Sequence, residues 1–477
     1  MELPEANAGS AGGGPPRTVG SDGPAPTPDP PARAALAVAG PTVGARLRAQ
    51  LRAGVRNGQS ALTVGLLFDG VASYIFLTAS GRALGPDRFA IVSVLWVVLF
   101  LVGNGLFVPI EQELSRSIAA RRARGLGSTH LGRRGGGASS VLLLGGSVAA
   151  LADRSRIADS LFRGEDRFVV ALVVGIAGVW LMFMVRGYLS GNHLFHGYAL
   201  MFVGDALAKA LPALLLLALG VTNPIAFAAI MAASAYVGSL VPLVGDRPAP
   251  PGGGDPAPEW GRLLSSLGFL LLTSFLSALA INIGTLAIEV NGSRVDEDRA
   301  GIFLSGLVIA RIPLFLFQAI QAIVLPRLSR LAALNDLVGF RADLRRLSWT
   351  MVGATLVAVT GSAVVGPFAV KVLFGDEFAL LGARDMGMLT LASMLMTCAL
   401  TLNQAQIALH HQRQTGWPWG VATAAFLAVT ATNGADLFLR VELGMVAAGA
   451  AALVLVALLL GLEMRHPDEH RRETPAL

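Results

Sequence analysis

The sequence predicts an all-α polytopic membrane protein, with about twelve transmembrane helices arranged in two parallel six-helix lobes. Three observations lead to this prediction. Apolar runs recur along the 477 residues, of which 53% are hydrophobic and 14% charged; basic residues alternate between the connecting segments; and the two halves share short motifs. A helix needs about 20 apolar residues to cross the hydrocarbon core, and soluble chains carry about 25% charged residues. A large soluble protein is therefore excluded.

Twelve apolar segments are candidate transmembrane spans. The third is short and interrupted by glycines, so helix counts from eleven to fourteen stay open. The segments are 61–80, 89–110, 138–152, 168–188, 197–219, 223–244, 263–288, 301–325, 348–367, 386–409, 418–434 and 441–462.

Lysine and arginine are distributed unevenly over the segments that join these spans. If the N-terminus lies inside, 24 of the 37 basic residues fall in inside segments and 11 in outside segments. An excess of basic residues in cytoplasmic loops is typical of membrane proteins. We therefore expect a bacterial cytoplasmic (inner) membrane protein with both termini in the cytoplasm. On this topology the net charge of +6 does not indicate nucleic-acid binding.

Segments rich in proline, glycine and alanine lie outside the spans. The first 57 residues predict a disordered tail, in which residues 47–56 are compatible with a basic amphipathic helix on anionic lipids. The run GDRPAPPGGGDPAP is typical of a flexible linker. The predicted domains are the cytoplasmic tail 1–57, an N-terminal lobe 58–244, the cytoplasmic linker 245–261, a C-terminal lobe 262–465 and a second cytoplasmic tail 466–477.

Three motifs recur in the same order in both halves, at offsets of 211 to 214 residues. Each match is weak alone, but three in order predict an internal duplication. Six spans per half make the repeat parallel, an arrangement that transporters use to open a central cavity alternately to either side. The pairs are DRFAI (87–91) with DRAGIF (298–303), LSRSIA (114–119) with LSRLAA (328–333), and LFRGEDRF (161–168) with LFGDEF (373–378).

Few ionisable or amide side chains fall within the spans. Each ionisable one costs about 2.5–3.5 kcal/mol at the bilayer centre, so its presence indicates pairing or function. Together these side chains predict a polar, partly basic cavity between the lobes. The candidate residues are Arg311, Lys209, Asp205, Asp69, Gln318, Asn282, Asn403 and Gln404.

The charged candidates leave alternatives open. Asp205 and Lys209 lie one helical turn apart, so they either neutralise each other or present Lys209 to an anionic head group. Arg311 has no acid at turn spacing in its own span, which favours binding of an anion. Asp69 is open to pairing with a cation across the cavity or to H⁺ or Na⁺ coupling.

Motifs for other chemistry are missing from the sequence. Cys398 is the only cysteine, and no histidine is accompanied by acids or cysteines at metal-ligand spacing. No arrangement of serine, cysteine and histidine indicates nucleophilic catalysis. We therefore expect no metal, no cofactor and no enzymatic activity.

Residues 58–465 resemble the polysaccharide-biosynthesis (Wzx-like) flippases of the multidrug/oligosaccharidyl-lipid/polysaccharide exporter superfamily. The resemblance implies a MATE-like, V-shaped fold of two lobes and a polyprenyl-diphosphate-linked oligosaccharide as cargo. It also implies that Arg311 faces the central cavity, and Asp205 and Lys209 match an acidic and a basic residue of relatives. It rests on GRALGPDRFA (81–90), PIEQELSR (109–116), RGYLSGNHLFHGYAL (186–200), AGIFLSGLVIARIPLFLFQAIQAIVLPRLSRLA (300–332) and LFGDEF (373–378).

These features predict a flippase that moves such a lipid-linked oligosaccharide across the membrane by alternating access, for cell-surface polysaccharide biosynthesis. Its partners would include anionic lipids, a polysaccharide polymerase and glycosyltransferases. One alternative is a cation-coupled multidrug exporter of the same superfamily. Alternatives from other classes are a membrane-embedded glycan polymerase or glycosyltransferase, and a scaffold that recruits cytoplasmic proteins through residues 1–57.

Overall fold

The computed structural model of the chain is all-α over the residues it describes, with no strand among them, which confirms the predicted fold class. The predicted tails, Gln318 and most of the predicted linker lie outside these residues; α-helix begins at Trp260, inside the predicted linker. The described residues are 59–123, 129–244, 260–291, 299–312, 328, 331, 336–409, 416–432 and 436–465.

The described chain forms thirteen α-helices. Short π and 3₁₀ turns also occur at Gly103–Phe107, Val241–Val244 and Asp376–Phe378. The helices are α1 Gln59–Val102, α2 Val108–Ala123, α3 Thr129–Ala152, α4 Arg154–Leu161, α5 Asp166–Gly191, α6 Phe195–Ala218, α7 Pro224–Leu240, α8 Trp260–Asn291, α9 Arg299–Ala310, α10 Leu337–Phe374, α11 Ala383–Ala408, α12 Trp417–Thr432 and α13 Leu437–Arg465.

Seven helical stretches of the described chain are long and apolar enough to cross a membrane, and four shorter apolar helices accompany them. The first stretch, Ser60–Arg122, contains two predicted spans. Each of the twelve predicted spans therefore coincides with a helix, although the second part of the eighth lies outside the described residues. The weak third span corresponds to α3, whose apolar part is only Leu143–Ala152. The chain is a multi-pass membrane protein.

Helix α1 contains a break where the first two predicted spans meet. Gly85 has φ 70° and ψ 170°, a left-handed conformation that glycine adopts without the steric penalty of a side chain. Pro86 follows and restarts the helix, since proline fits the first helical turn, where no N–H is needed. The sequence GPDR thus divides α1 into two segments.

Packing joins helices within each half of the chain and also between the halves. We call residues 59–244 the first half and residues 260–465 the second half. Helix α6 packs on α1 and α7 in the first half, and α13 packs on α11 and α12 in the second. Helix α9 packs against α1, and α8 packs against the π turn that follows α1. The largest apolar core cluster accordingly contains buried side chains of both halves, including Phe76 and Phe303.

The outer surface carries large apolar side chains that would be unfavourable in water. Helix α10 exposes Trp349 at 71%, Val357 at 75% and Phe368 at 67% of their surface. Continuous exposed apolar surface is typical of a face in contact with lipid rather than of a soluble monomer. This face accounts for the high hydrophobic content of the sequence.

Candidate functional site

Lys209 lies at the centre of a buried polar cluster between α1 and α6. Its Nζ atom is 2.8 Å from Asp69 Oδ1 and 2.7 Å from Asp205 Oδ2. It also donates a hydrogen bond of 3.1 Å to Ser73 Oγ. An ammonium group has three N–H donors, so all three are used. We call Asp69, Ser73, Asp205 and Lys209 the lysine cluster.

Helical periodicity and small residues bring the lysine cluster together. Asp69 and Ser73 are one turn apart on α1, as are Asp205 and Lys209 on α6, so each helix presents two polar groups on one face. A Cβ atom at Gly238 of α7 would lie 2.8 Å from Asp205 Cβ, so α7 approaches this side chain closely. Asp205 is consequently 4% exposed and Lys209 6%.

The cluster changes the interpretation of the Asp205–Lys209 pair. The two residues do pair within α6, but Lys209 is shared with a second carboxylate from α1. Asp69 pairs with Lys209 of the neighbouring helix α6, and its two proposed roles, pairing across the cavity and ion coupling, stay predictions. A double substitution of Asp205 and Lys209 would leave Asp69 without its cation, so removing the interaction requires three substitutions.

Arg311 lies where α9 ends and contacts α8. Its Nη2 donates 2.8 Å to the backbone oxygen of Ile281 and lies 3.4 Å from Asn282 Oδ1; Nη1 lies 3.5 Å from the same oxygen. The helix ends at Ala310, and Arg311 lies in a turn before Ile312, which is again helical. The structure thus brings the predicted residues Arg311 and Asn282 together.

The partners of Arg311 are all neutral. Among the described residues, no carboxylate lies within ion-pair distance of its guanidinium, and the side chain that interacts with it electrostatically is the Tyr74 phenol of α1. Arg311 is only partly exposed, and Asn282 is 1% exposed. Lys209 and Arg311 are therefore different: among the described residues, the first is balanced by two carboxylates, and the second has no carboxylate to compensate its positive charge.

The remaining predicted residues lie apart from these contacts or outside the description. On α11, Asn403 is 7% exposed, and its Oδ1 has no hydrogen-bond partner among the described residues. Gln404 points to an exposed surface, while Gln406 is fully buried. No contact of Asn403 or Gln404 with Lys209 or Arg311 appears in the described part of the chain.

Sequence reasoning missed a second buried charge cluster in the first half. Arg186 of α5 lies 3.1 Å from Glu111 Oε2 and donates 2.9 Å to Tyr198 OH, which in turn donates 2.8 Å to Glu111 Oε1. Its guanidinium lies 4.3 Å above the Phe183 ring. The side chain of Arg186, near the end of the predicted span 168–188, is only 20% exposed. The sequence did contain a sign of this cluster, because Glu111 and Arg186 are ionisable residues that each adjoin a long apolar run.

A buried acid of the second half was also missed. Glu442 of α13 is 0% exposed, and neither of its carboxylate oxygens has a hydrogen-bond partner among the described residues. Asp385, Asp436 and Arg384 lie within electrostatic range of it. A carboxyl group buried without donors is costly, so an acid at the start of the last predicted span should have been treated as a candidate.

Comparison of the sequence with known proteins finds distant relatives. No protein-family model matches the chain. Uncharacterized proteins of Mycobacterium tuberculosis (strain ATCC 25618 / H37Rv) and of Mycobacterium bovis are each 23% identical over 407 residues, which cover 80% of this chain and 85% of the relative. The chain is thus similar over most of its length to mycobacterial proteins whose names state no activity.

Solved structures resemble the chain more clearly. An inward-facing multidrug resistance MATE family transporter of the MOP superfamily matches with a TM-score of 0.64 at 13% identity, over 83% of this chain and 95% of that one. The fold is MATE-like. An outward-facing structure of such a transporter matches with a TM-score of 0.56 at 17% identity, over 86% and 93%. Lipid II flippase MurJ in an inward closed conformation matches with a TM-score of 0.64 at 10% identity, over 84% and 87%.

The MATE-like fold therefore has structural relatives with different kinds of cargo. At these identities the similarity establishes the architecture, and function has to be argued from the residues of this chain. Lys209 and Arg311 are the residues that distinguish these kinds of cargo. Among the described residues, Lys209 contacts two carboxylates, whereas Arg311 contacts only neutral groups.

Proposed function

We propose that this MATE-like protein is a flippase that moves a polyprenyl-diphosphate-linked oligosaccharide across the bacterial cytoplasmic membrane, for cell-surface polysaccharide biosynthesis. It does so by alternating access between an N-terminal lobe (58–244) and a C-terminal lobe (262–465), with both termini in the cytoplasm. The observation that carries the proposal is that no carboxylate of the described residues compensates the charge of Arg311. A buried cation without a carboxylate is stabilised by an anionic ligand, and a diphosphate is such a ligand.

The chemistry of this cargo suits the groups around Arg311. An arginine guanidinium can donate two parallel hydrogen bonds to a phosphate, which an ammonium cannot do with the same geometry. Asn282 and Tyr74, beside it, supply neutral hydrogen-bonding groups. Translocation changes no covalent bond, so the proposal requires no catalytic residue. Contacts with anionic lipids, a polysaccharide polymerase and glycosyltransferases belong to the same proposal.

Depletion of the protein in its native bacterium tests the proposed function. A probe that labels glycans only on the outer leaflet should detect less lipid-linked oligosaccharide after depletion, while total lipid-linked oligosaccharide rises. Re-expression of the wild-type chain should restore outer-leaflet labelling. Unchanged labelling after complete depletion would contradict the proposal.

A second candidate function is cation-coupled export of hydrophobic drugs. The lysine cluster favours it, because Asp69 and Asp205 place two carboxylates around a single ammonium. If H⁺ or Na⁺ displaced the Lys209 ammonium from these carboxylates, transport would be coupled to an ion gradient. The side chain of Asp69 is 20% exposed, against 5% for Asp205, so Asp69 is the carboxylate that an ion would reach first.

Substitution of Asp69 distinguishes the two functions. If the protein is an exporter, Asp69→Asn should abolish efflux of a fluorescent cationic dye from cells that overproduce the protein. For the proposed flippase, wild-type and Asp69→Asn cells should show the same dye efflux as cells without the protein. Dye efflux that requires Asp69 would favour the exporter and contradict the flippase.

A further inference from the structure

Two of the three sequence motifs that recur in both halves meet in the structure. The segment LFRGEDRF lies between α4 and α5, and LFGDEF connects α10 to α11. The other repeated pair is DRFAI, which follows the break in α1, and DRAGIF, whose residues 299–303 begin α9. On the predicted topology, all four segments lie on the outer side of the membrane. Each of them contacts the opposite half of the chain.

The first contact is ionic and centres on Arg163. Its Nη1 lies 2.6 Å from Asp87 Oδ1 of the first half, while its Nε lies 3.1 Å from Glu289 Oε1 of the second half. Its Nη2 also donates a hydrogen bond of 3.3 Å to Glu289 Oε2, so the contact with Glu289 is bidentate. The Glu289 side chain is 6% exposed and that of Arg163 20%, which reduces screening by water.

The backbone of Arg163 is held in a conformation that is uncommon for arginine. Its φ is 53°, in the left-handed region, where residues other than glycine are rare. Gly164 follows with φ 85°. A strained residue persists only where its surroundings hold it; here the adjoining backbone forms turn hydrogen bonds from Gly164 N to Ala158 O and from Glu165 N to Phe162 O, and the side chain of Arg163 contacts two carboxylates.

The second contact is aromatic and comes from the other half. Phe374 and Phe378 of LFGDEF lie with their ring centroids 5.9 Å and 5.8 Å from that of Phe89 in DRFAI. A Cβ atom at Gly81 would lie 2.6 Å from Phe374 Cδ1. All three rings are at most 2% exposed. LFGDEF of the second half therefore packs against the first half, just as LFRGEDRF of the first half pairs with Glu289 of the second half.

The third contact joins the remaining pair of repeated segments. A Cβ atom at Gly301 would overlap the backbone oxygen of Pro86 and would lie 3.1 Å from Ala90 N. The starts of α9 and of the second segment of α1 thus touch through their backbones. Since Gly301 belongs to DRAGIF and Ala90 to DRFAI, these two copies of one predicted motif contact each other directly.

The geometry points to a gate formed by these contacts: Arg163 with Glu289, and Phe89 with Phe374 and Phe378, hold the two halves together at the predicted outer side and must separate for a cavity to open there. The inference rests on the proposed function, because alternating access requires such a closure to break in each cycle. Each half contributes copies of the duplicated motifs to the gate, and each copy contacts the opposite half.

A distance measurement tests the gate without any cargo. Spin labels are attached to cysteines at Ser160 and Leu380, both exposed and on opposite halves near the gate, in a Cys398→Ser background. The separation of the labels is measured by pulsed electron paramagnetic resonance in lipid nanodiscs. In the wild type, the short separation should predominate. Arg163→Ala should raise the ratio of long to short separations by at least about tenfold, since it removes both ion pairs and leaves Glu289 buried without a partner.

Control variants separate the gate from general effects of a lost arginine. Arg156→Ala, whose 83% exposed side chain pairs only with Asp153 of the same half among the described residues, should leave the distances unchanged. The exchange Arg163→Glu with Glu289→Arg should restore the short separation. Glu289→Gln removes the charge of the partner in the second half and keeps its shape, so it keeps the test valid if Arg163→Ala does not fold; it should shift the ratio in the same direction.

The outcomes distinguish failure of the gate from failure of the proposed function. Unchanged distances in both Arg163→Ala and Glu289→Gln would overturn the gate, whatever the protein transports. If the distances respond as expected but vesicles containing the protein translocate no lipid-linked oligosaccharide, the gate stands and the proposed function is wrong.

Discussion

Replacement of Arg311 by alanine is expected to stop translocation of the lipid-linked oligosaccharide while the protein still folds and inserts. The side chain forms no ion pair among the described residues and donates only to Ile281 O and Asn282 Oδ1, so its loss leaves no buried charge behind. A hydrogen bond to a charged group contributes about 1.5–3 kcal/mol, which corresponds to a loss of roughly 10- to 100-fold in rate. The measurement is outer-leaflet labelling of lipid-linked glycan in depleted cells that express the variant.

Three further substitutions isolate the charge of Arg311. Arg311→Lys keeps the charge but loses the fork geometry, so it should retain part of the activity. Asn282→Asp places a carboxylate 3.4–3.5 Å from the guanidinium with almost no change in shape, and should inhibit translocation although Arg311 is intact. Arg156→Ala removes an exposed arginine and should behave as the wild type. Normal export by Arg311→Ala or by Asn282→Asp would remove the uncompensated charge from the mechanism.

Replacement of Lys209 by alanine is expected to have the largest effect on stability. It leaves Asp205, whose side chain is 5% exposed, and Asp69 without the cation that both contact. Removing one partner of a buried ion pair typically costs about 3–5 kcal/mol, because the remaining charge stays buried and unpaired. The expected result is a lower midpoint of thermal unfolding in detergent and a lower yield of folded protein.

Suitable controls are available in the same chain. Lys371 is the only other lysine; its side chain is 57% exposed and pairs with Asp376 at 2.7 Å. Lys371→Ala should therefore leave the midpoint of thermal unfolding close to that of the wild type. The neutral combination Lys209→Met, Asp69→Asn and Asp205→Asn should recover most of the midpoint lost in Lys209→Ala. Equal midpoints for Lys209→Ala and Lys371→Ala would show that the lysine cluster does not stabilise the fold.

Much of the fold could be predicted from the sequence, because long apolar runs permit few structures in a bilayer. The run VLWVVLFLVGNGLFV has no polar partners for its backbone other than its own helix, so α1 was predictable. The boundary between the first two spans was also marked, by the glycine and proline of GPDR. Contacts between helices were less predictable, since an apolar face does not specify which neighbour it meets.

The charged residues show where prediction from the sequence ended. One turn of α6 sufficed to predict the pairing of Asp205 with Lys209, but their contact with Asp69 depends on the rotation of α1, which the sequence does not encode locally. The ion pair of Arg186 shows the same limit. Positive-inside counting uses an arginine near the end of a span for topology alone, so it did not predict the contact of Arg186 with Glu111 of another helix.

The central claim is that Arg311 binds the diphosphate of a lipid-linked cargo, and translocation in reconstituted vesicles tests it most directly. Two fluorescent polyprenyl-linked oligosaccharides are compared, one with a diphosphate linkage and one with an uncharged linkage, and arrival at the opposite leaflet is followed by a membrane-impermeant quencher. The account predicts that the wild type translocates the diphosphate cargo at least about tenfold faster than the uncharged one, and that Arg311→Ala abolishes this preference. Equal rates for the two cargoes in the wild type, or an unchanged preference in Arg311→Ala, would contradict it.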